Sequence, residues 1–266
     1  MEDTGRIVRV LTATARRIVF GTTADAAIDA ELWAATEVDL AHLLVMAEEG
    51  LVAPEPTREL LRAVRALRQS DFAPLRGRPA PRGLYLLYED HLIGLLGART
   101  GGLLQLGRSR NDVGATTLRI RLREPYRKLL GETMRLEAVL LRRARRFADV
   151  VMPAYTHYQA AVPVTYGHYL AGVAAAFGRD AAAILVAGAD LDRCPLGAGA
   201  VGGTSVPIVP LRAAELLGFS VPIGNSIDAV ASRDGMLRLV AAAAILGLTL
   251  SRLATDLLLW STEEFG

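Results

Sequence analysis

Apolar residues recur at spacings of three and four residues along most of this sequence, while apolar–polar alternation over a strand-length segment is scarce. The first pattern places apolar side chains along one face of an α-helix, and the second is what a half-buried β-strand would need. Ala, Leu, Arg and Glu dominate between the loops, and all four favour helix. We therefore predict an all-α fold.

The longest helical patterns predict a bundle of rod-like helices. Residues 112–150 would span roughly 55 Å as one unbroken helix, although Pro125 within them predicts a kink or break near Arg123. Segments rich in glycine and proline at residues 72–82 and 195–210 are predicted to be loops. Between these segments we expect helices over residues 25–49, 58–69, 85–96, 112–150, 164–192 and 232–261, the second of them opened by residues 54–56.

The charge balance gives no broad electrostatic reason to expect nucleic acid or an anionic membrane as a partner. Lys and Arg number 30 against 28 Asp and Glu, which leaves a net charge of +2. The single cysteine, Cys194, excludes an internal disulfide and a cysteine-rich metal site. Residues 1–17 mix acidic residues and arginines with apolar ones and lack the apolar core of a secretory signal. We expect a cytoplasmic protein.

Hydropathy predicts that helices are buried on more than one side. Apolar residues make up 52% of the chain, and its mean hydropathy is +0.29. The most apolar run, residues 239–250, is shorter than the roughly 20 residues that cross a bilayer, so we interpret it as a buried helix. Apolar residues beyond the needs of one small core favour an oligomer interface.

The string GRSRND at residues 107–112 places two guanidinium groups, a hydroxyl and an amide directly before the long helix. Backbone donors and the positive end of the helix dipole favour an anion there, so the segment has the composition of a carboxylate or phosphate cradle. The alternative from the residues alone is that Asn111 or Asp112 caps the helix while the arginines pair with nearby acids. The pattern leaves both interpretations open.

A second polar segment, residues 155–168, contains His157 beside hydroxyl and amide neighbours in a turn before a helix. A histidine there could transfer a proton near neutral pH, or it could be a structural, hydrogen-bonded residue. His157 and His168 stand eleven positions apart with no third ligand at metal spacing, so zinc is not indicated. The glycines of residues 195–205 follow a helical pattern and lack a Gly-Lys-Ser/Thr ending, which favours close packing or a mobile loop over nucleotide binding.

These strings, followed in order by NSIDAV at residues 225–230, Arg233-Asp234 and the closing residues 250–265, resemble the argininosuccinate lyase family from about Asp29 onward. The resemblance implies a long-helix bundle of the fumarase/aspartase type, with a smaller helical N-terminal domain over residues 1–107 and an incomplete central bundle over residues 108–266. It also implies a homotetramer that releases fumarate in arginine biosynthesis without a metal or other cofactor.

Carried over residue by residue, the resemblance implies that His157 and Thr156 are catalytic. It implies that a dicarboxylate substrate contacts Ser109, Arg110, Asn111, Asp29 and Gln159. In the family's reaction a base removes the proton beside a carboxylate, the carboxylate takes up the charge, and an acid assists departure of nitrogen.

The sequence also departs from the family pattern. Gln105-Leu106 replaces the His-Thr pair that usually precedes GRSRND, and Asp25 stands where a substrate-binding serine is expected. The flexible loop that carries the family's serine base would begin just after Gly266, so we expect a chain that needs further segments or a complementary C-terminal chain. The alternatives are a sister lyase acting on another succinate, such as a nitro- or amino-substituted one, and a non-catalytic binding or regulatory homologue.

Overall fold

The computed structural model describes residues 12–15, 25–80, 82–222 and 224–264, without the side chains of residues 25–27. Asp25 begins a helix, but its side chain, predicted to stand where a substrate-binding serine is expected, lies outside the description. Phe265 and Gly266 also lie outside it. The chain divides into two compact units. Unit 1 comprises residues 1–121 and 193–231, and unit 2 comprises residues 122–192 and 232–266.

Unit 1 is built around three consecutive helices, α1 (Asp25–Glu48), α2 (Pro54–Gln69) and α3 (Leu84–Gly101). Short 3₁₀ turns at Ala73–Leu75 and Gly102–Gln105 follow α2 and α3. The helices predicted at residues 25–49, 58–69 and 85–96 are confirmed. The backbone of Gly97 leaves helical geometry at φ +79°, yet the helix resumes and ends at Gly101, five residues later than its pattern indicated.

The core of unit 1 contains fully buried side chains from all three helices, such as Leu32, Leu60 and Leu92. A second cluster joins Val38 and Val45 of α1 to the loop residues Cys194 and Leu196. Two short helices, α6 (Pro210–Leu216) and α7 (Ser226–Ala231), complete the unit. The glycine-rich loop before α6 is therefore packed against a helical core.

The longest helix, α4, runs from Arg110 to Arg146 and contains Pro125. The predicted break near Arg123 does not occur: the helix is continuous over these 37 residues. Proline removes one internal hydrogen bond and crowds the preceding turn, but the intact turns on either side keep the backbone helical.

Unit 2 contains the rest of α4, the helices α5 (Tyr166–Gly188) and α8 (Asp234–Trp260), and the 3₁₀ turn Ala189–Asp192. The predicted helices at residues 164–192 and 232–261 are confirmed. Helix α5 packs closely on α4, because a Cβ on Gly167 would lie 2.5 Å from the carbonyl oxygen of Ala144. The core of the unit is formed by side chains such as Leu140, Phe177 and Leu246.

A β-hairpin interrupts the helical fold where the sequence indicated a turn before a helix. Strands β1 (Val151–Thr156) and β2 (Gln159–Thr165) pair antiparallel, with an irregularity between Ala154 and Tyr155. Pro153 lies opposite Pro163, and most residues on both strands are exposed. The pairing was missed because this exposed ribbon lacks the alternation of apolar and polar residues that a half-buried strand shows.

Helix α8 corrects the interpretation of residues 239–250 as a buried helix. Within unit 2 its buried side chains are Leu239, Ala242 and Leu246, whereas Leu248 is 68% exposed. Helix α8 and the segment Tyr166–Asp192 are each long and apolar enough to cross a membrane by length and composition alone. That test is weak, because the core helices of soluble proteins also pass it.

The compact units are discontinuous in sequence, since residues 193–231 join the N-terminal unit. The predicted domain division, between residues 107 and 108, instead separates two continuous segments, and it stays a prediction. It places residues 193–231 in the second domain, whereas the compact units place them in the first.

Candidate active site

The first turn of α4 is capped by its own neighbouring side chains. The Oγ of Ser109 accepts a hydrogen bond from the backbone N–H of Asn111 at 3.3 Å, and Oδ1 of Asp112 accepts one from the N–H of Ser109 at 2.9 Å. This reciprocal pair satisfies backbone groups that the start of a helix would otherwise leave unpaired. Because Ser109 and Asp112 form the cap, the exposed side chains of Arg110 and Asn111 are not used for it.

Asp112 also fastens the glycine-rich loop to the start of α4. Its Oδ2 accepts hydrogen bonds from the N–H groups of Gly197 and Gly199 at 3.1 and 2.9 Å. Burial raises the pKa of the Asp112 carboxyl, and its backbone donors act in the opposite direction. Gly199 has φ +61°, and a Cβ there would lie 2.3 Å from the carbonyl oxygen of Gly203. Of the two interpretations of this loop, the structure supports close packing.

Arg108 does not belong to an open anion cradle, in contrast to the prediction of two guanidinium groups there. Its side chain is fully buried, with Nη2 2.6 Å from Oδ1 of Asp39 and 2.7 Å from the hydroxyl of Tyr85. Burial disfavours the charge on Arg108, but Asp39 and Tyr85 outweigh it and raise the pKa of the guanidinium. Freeing Arg108 for a ligand would break a buried ion pair, which costs about 3–5 kcal/mol.

His42 belongs to the same buried polar region of unit 1. Its Nε2 lies 2.8 Å from the carbonyl oxygen of Leu106, so that nitrogen carries the hydrogen and donates. Burial, together with the charge of Arg108, lowers the pKa of His42 to about 3. The amide of Gln105 donates to the hydroxyl of Tyr85 at 3.0 Å. His42 is thus held neutral, and Gln105 takes part in the buried network.

Asp29 lies on α1 and forms an ion pair with Arg76. The carboxylate is about half exposed, and the Arg76 guanidinium also donates through Nε to the backbone carbonyl of Asp71 at 2.9 Å. A substrate that used Asp29 would therefore share or displace this partner. No hydrogen bond or ion pair joins Asp29 to residues 109–111 in the part of the chain that the structure describes.

Thr156, His157 and Gln159 lie together at the tip of the hairpin in unit 2. Thr156 and Gln159 face each other in the strand register, on either side of the two-residue turn His157–Tyr158. All four residues are exposed. Both turn residues have positive φ, 53° and 58°, which suits a tight hairpin turn but is unfavourable for side chains other than Gly, Asn or Asp.

A groove of about 390 Å³ runs beside the hairpin, and we call it the hairpin groove. His157, Tyr155 and Tyr158 line it from the hairpin, and the end of α8 contributes Asp256 and Trp260. The remaining lining residues are Met152, Pro153, Ala154, Val164, Tyr169 and Leu259. The predicted histidine therefore borders a space that a small molecule could enter.

The structure groups the predicted residues into two sets. Ser109, Arg110 and Asn111 are adjacent in unit 1, whereas Thr156, His157 and Gln159 are adjacent in unit 2. Asp29 shares unit 1 with the first set. Among the described residues, no group of three or more His, Cys, Asp or Glu side chains is arranged to hold a metal ion.

Sequence reasoning missed the supporting side chains. Asp39 and His42 stand three residues apart in the apolar sequence of α1, and such isolated polar residues were the available signal. Asp112 was considered a cap, but its bonds to Gly197 and Gly199 join residues 85 and 87 positions away. Contacts over that separation depend on how the chain packs.

Comparison with known proteins decides the family. The sequence pattern of a family described as lyase matches residues 88–266, which is more than half of the chain. The chain belongs to this lyase family. Its resemblance to argininosuccinate lyases and its all-α fold are confirmed.

Two relatives of this lyase family member illustrate the extent of the match. The argininosuccinate lyase of Methanoculleus marisnigri is 40% identical over 244 residues, which cover 91% of this chain and 50% of that protein. That of Acidothermus cellulolyticus is 39% identical over 246 residues, which cover 88% of this chain and 49% of that protein. The chain thus spans about half the length of the curated relatives it matches.

Solved structures of similar proteins agree with the architecture of the lyase family. EDDS lyase in complex with formate has a TM-score of 0.83 at 28% identity, over 95% of this chain and 49% of that one. A fumarate lyase:delta crystallin from Brucella melitensis bound to cobalt has a TM-score of 0.72 at 20% identity, over 90% and 58% of the two chains. The second similarity concerns the fold alone.

Proposed function

We propose that this chain forms part of a carbon–nitrogen lyase of the argininosuccinate lyase type, which releases fumarate from an N-substituted succinate by β-elimination. The observation that carries the proposal is the start of α4, where Ser109 and Asp112 form the cap and the side chains of Arg110 and Asn111 are exposed. A charged fork and an amide at a helix N-terminus suit a carboxylate. The named relatives support the same activity.

In the proposed reaction, Ser109, Arg110 and Asn111 bind the carboxylates of the succinyl group, joined by Thr156 and Gln159. A base takes the proton beside a carboxylate, negative charge develops on that carboxylate, and the C–N bond then breaks as an acid protonates the departing nitrogen. Donors at Arg110 and Asn111 would stabilise this charge, and comparable donors in other enzymes contribute roughly 3–4 kcal/mol each. His157 transfers a proton, and Asp29 binds substrate by exchanging its contact with Arg76.

We propose that the site is completed by other segments or chains, as the resemblance implies. The two sets of residues lie in different compact units of this chain. We propose a homo-oligomer, a tetramer as the resemblance implies, or assembly with a complementary C-terminal chain. We further propose a cytoplasmic enzyme of arginine biosynthesis without a cofactor, nucleic-acid partner or membrane partner.

A second candidate function is a sister lyase that acts on another substituted succinate. It is favoured by Gln105-Leu106, which replaces the His-Thr pair of the family. The Gln105 amide donates to the hydroxyl of Tyr85, and the Leu106 carbonyl accepts from His42, so both residues are engaged in buried contacts. Gln105 cannot carry a proton as the family's histidine can. Its presence would suit a leaving group that needs no proton from this position.

The test is fumarate release, followed by its ultraviolet absorbance after argininosuccinate is added. The chain is assayed alone and mixed with the half of the Methanoculleus marisnigri enzyme that it does not cover. We expect release in the mixture, and a decrease of about 10²–10⁴-fold for His157→Asn, the range for loss of a proton-transfer group. His91→Asn, on α3, is the matched control and should leave the rate unchanged.

The outcomes separate the candidates. Release from another substituted succinate but not from argininosuccinate would establish the sister lyase. An equal rate for His157→Asn and the unsubstituted chain would contradict the assigned proton transfer. No release from any succinate derivative, by the chain alone or in the mixture, would favour the binding or regulatory homologue.

A further inference from the structure

The ion pair between Arg108 and Asp39 is costly for the core of unit 1 to bury. Both side chains are fully buried, with 2.6 Å between Nη2 of Arg108 and Oδ1 of Asp39. The cost of moving two charges out of water is offset only if further hydrogen bonds satisfy the remaining polar atoms. Two of the guanidinium nitrogens, Nε and Nη1, are buried without a hydrogen-bond partner among the described residues. The pair is therefore a poor source of stability, and another role has to explain it.

The pair fixes one guanidinium against two helices. Asp39 lies on α1, and Tyr85, whose hydroxyl is 2.7 Å from Nη2 of Arg108, lies on α3. The same hydroxyl donates to Oδ1 of Asp39 at 3.3 Å, so the three groups contact one another. A guanidinium is planar and its donors have fixed directions, which restricts how it can meet two acceptors at once. Arg108 is thereby held in one orientation relative to α1 and α3.

The residues immediately before Arg108 are held by the same unit. The carbonyl of Leu106 accepts a hydrogen bond from His42 on α1 at 2.8 Å. Gly107 has φ +74°, and a Cβ there would lie 3.1 Å from the Cβ of Val206. The chain therefore reaches the start of α4 from a fixed position.

We propose that Arg108 and Asp39 are positioning residues, whose ion pair sets where residues 109–111 meet the carboxylates of a substrate. Arg110 and Asn111 follow Arg108 by two and three residues, so a displacement of Arg108 reaches them along a short stretch of chain. Misplacement of a binding group by about 1 Å can lower a rate by about 10²-fold. This inference rests on the proposed function, and it adds to the site two buried residues that do not touch substrate.

The test replaces both partners, because removing one would leave the other charge buried and unpaired. Leucine has the branched shape of aspartate, and methionine has nearly the length of arginine. Asp39→Leu with Arg108→Met therefore removes both charges and keeps much of the packing. Apolar replacement of a buried ion pair is often neutral or stabilising. We expect the urea midpoint of unfolding to stay the same or rise, with an unchanged circular dichroism spectrum.

The same double variant should lose activity although it is folded. Each chain is mixed with the complementary half of the Methanoculleus marisnigri enzyme, and fumarate release from argininosuccinate is measured per folded molecule. We expect kcat to fall by about 10²-fold and KM to rise by less than about threefold, because misplaced donors fail chiefly where charge develops in the transition state. A pair with a structural role alone would lower the urea midpoint and leave kcat and KM unchanged.

The matched control removes a different ion pair of α1. Nε of Arg212 lies 2.9 Å from Oε2 of Glu48, and neither residue is assigned to substrate. Glu48→Gln with Arg212→Gln should therefore keep the kcat and KM of the unsubstituted chain.

Tyr85→Phe serves if the double variant does not fold. It keeps the ring and the ion pair, and it removes the hydroxyl that helps to fix the guanidinium of Arg108. We expect kcat to fall by about fivefold, again with KM within about threefold. Unchanged kcat and KM in the folded double variant, or in Tyr85→Phe if only that variant folds, would overturn the proposal.

Hydrogen exchange separates failure of this inference from failure of the proposed function. The amides of Ser109 and Asn111 donate to the side chains of Asp112 and Ser109. In the double variant they should exchange at least about tenfold faster, while the amide of Leu60 in the core exchanges as before. Faster exchange without fumarate release in any mixture would support the positioning of the segment and refute the lyase proposal. Fumarate release at equal kcat and KM by both folded chains would keep the lyase proposal and refute the positioning roles.

Discussion

Single buried side chains hold the loops of this chain in place. Asp112 accepts hydrogen bonds from the backbone N–H groups of Ser109, Val113, Gly197 and Gly199. Its position at the start of α4 therefore shapes the segment that presents Arg110 and Asn111. The neighbouring Arg108 holds the start of this segment from within the core, through its ion pair with Asp39. The residues that position the candidate site are thus more buried than those assigned to substrate.

At the residue scale, we predict that His42 makes stability depend on pH. Its pKa is 6.5 ordinarily and about 3 in the folded chain, so between these values the unfolded chain binds a proton that the folded chain does not. Stability therefore falls as the pH falls through this window. The loss between pH 7 and pH 5 should be about 2 kcal/mol, measured as the free energy of unfolding in urea.

His42→Gln tests this assignment, because its amide can still donate to the carbonyl of Leu106 but does not titrate. The variant should lose less stability than the unsubstituted chain over the same pH interval, by about 2 kcal/mol. His168→Gln is the control for an exposed histidine. Identical pH dependence in His42→Gln and the unsubstituted chain would contradict the prediction.

At the scale of elements, the hairpin and α4 show the limits of local preference. The turn of the hairpin consists of His157 and Tyr158, although Asn-Gly is the sequence that such a turn favours. Helix α4 contains a proline and remains continuous. In both cases the surrounding structure imposes a backbone conformation that the local residues disfavour. At the hairpin tip, one residue held in such a conformation is His157, the proposed proton carrier.

We predict that replacing the turn by Asn-Gly, with His157→Asn and Tyr158→Gly, stabilises the hairpin. Positive φ costs roughly 1–2 kcal/mol at a residue other than glycine, so amide exchange of the strand residues should slow by about 5- to 30-fold. Hydrogen exchange measured by NMR on Ala154 and Val162 reports the effect.

Tyr158→Asn alone keeps His157, and it should slow the amide exchange of the strand residues less than the double variant does. Under the proposed function, the double variant loses fumarate release while the single variant retains His157 for proton transfer. Faster or unchanged exchange in the double variant would show that the turn is not strained.

At the scale of the whole molecule, α8 exposes an apolar surface. Leu237, Val240, Leu248 and Leu258 are each more than 60% exposed within the described chain. Contiguous apolar surface on a soluble chain marks an interaction site or an aggregation risk. The surface agrees with the oligomer proposed above.

We predict that the purified chain self-associates and binds a hydrophobic dye strongly. Leu237→Gln combined with Leu248→Gln should weaken association by roughly 30-fold, because each change removes about 1 kcal/mol of apolar burial. Light scattering over a concentration series measures the association. Leu95→Gln, on α3, is the matched control, since Leu95 is 60% exposed and Leu237 is 61% exposed. A monomer at high concentration in the unsubstituted chain would contradict the prediction.

The sequence by itself determined the helices and the family. Helical periodicity is a local property, so α1, α5 and α8 were predicted to within a few residues, and the ordered motifs sufficed to indicate a lyase. The adjacency of Ser109, Arg110 and Asn111 was also local, because these residues are consecutive.

Only the tertiary structure decided which polar groups are open to a ligand. Arg108 and Arg110 are two residues apart in one motif, yet the first is buried against Asp39 and the second is exposed. The hairpin, the attachment of the glycine-rich loop to Asp112, and the groove that joins His157 to Asp256 likewise depend on contacts between distant segments. Periodicity fixes which residues share a face, but burial and ion pairing are set by what packs against that face.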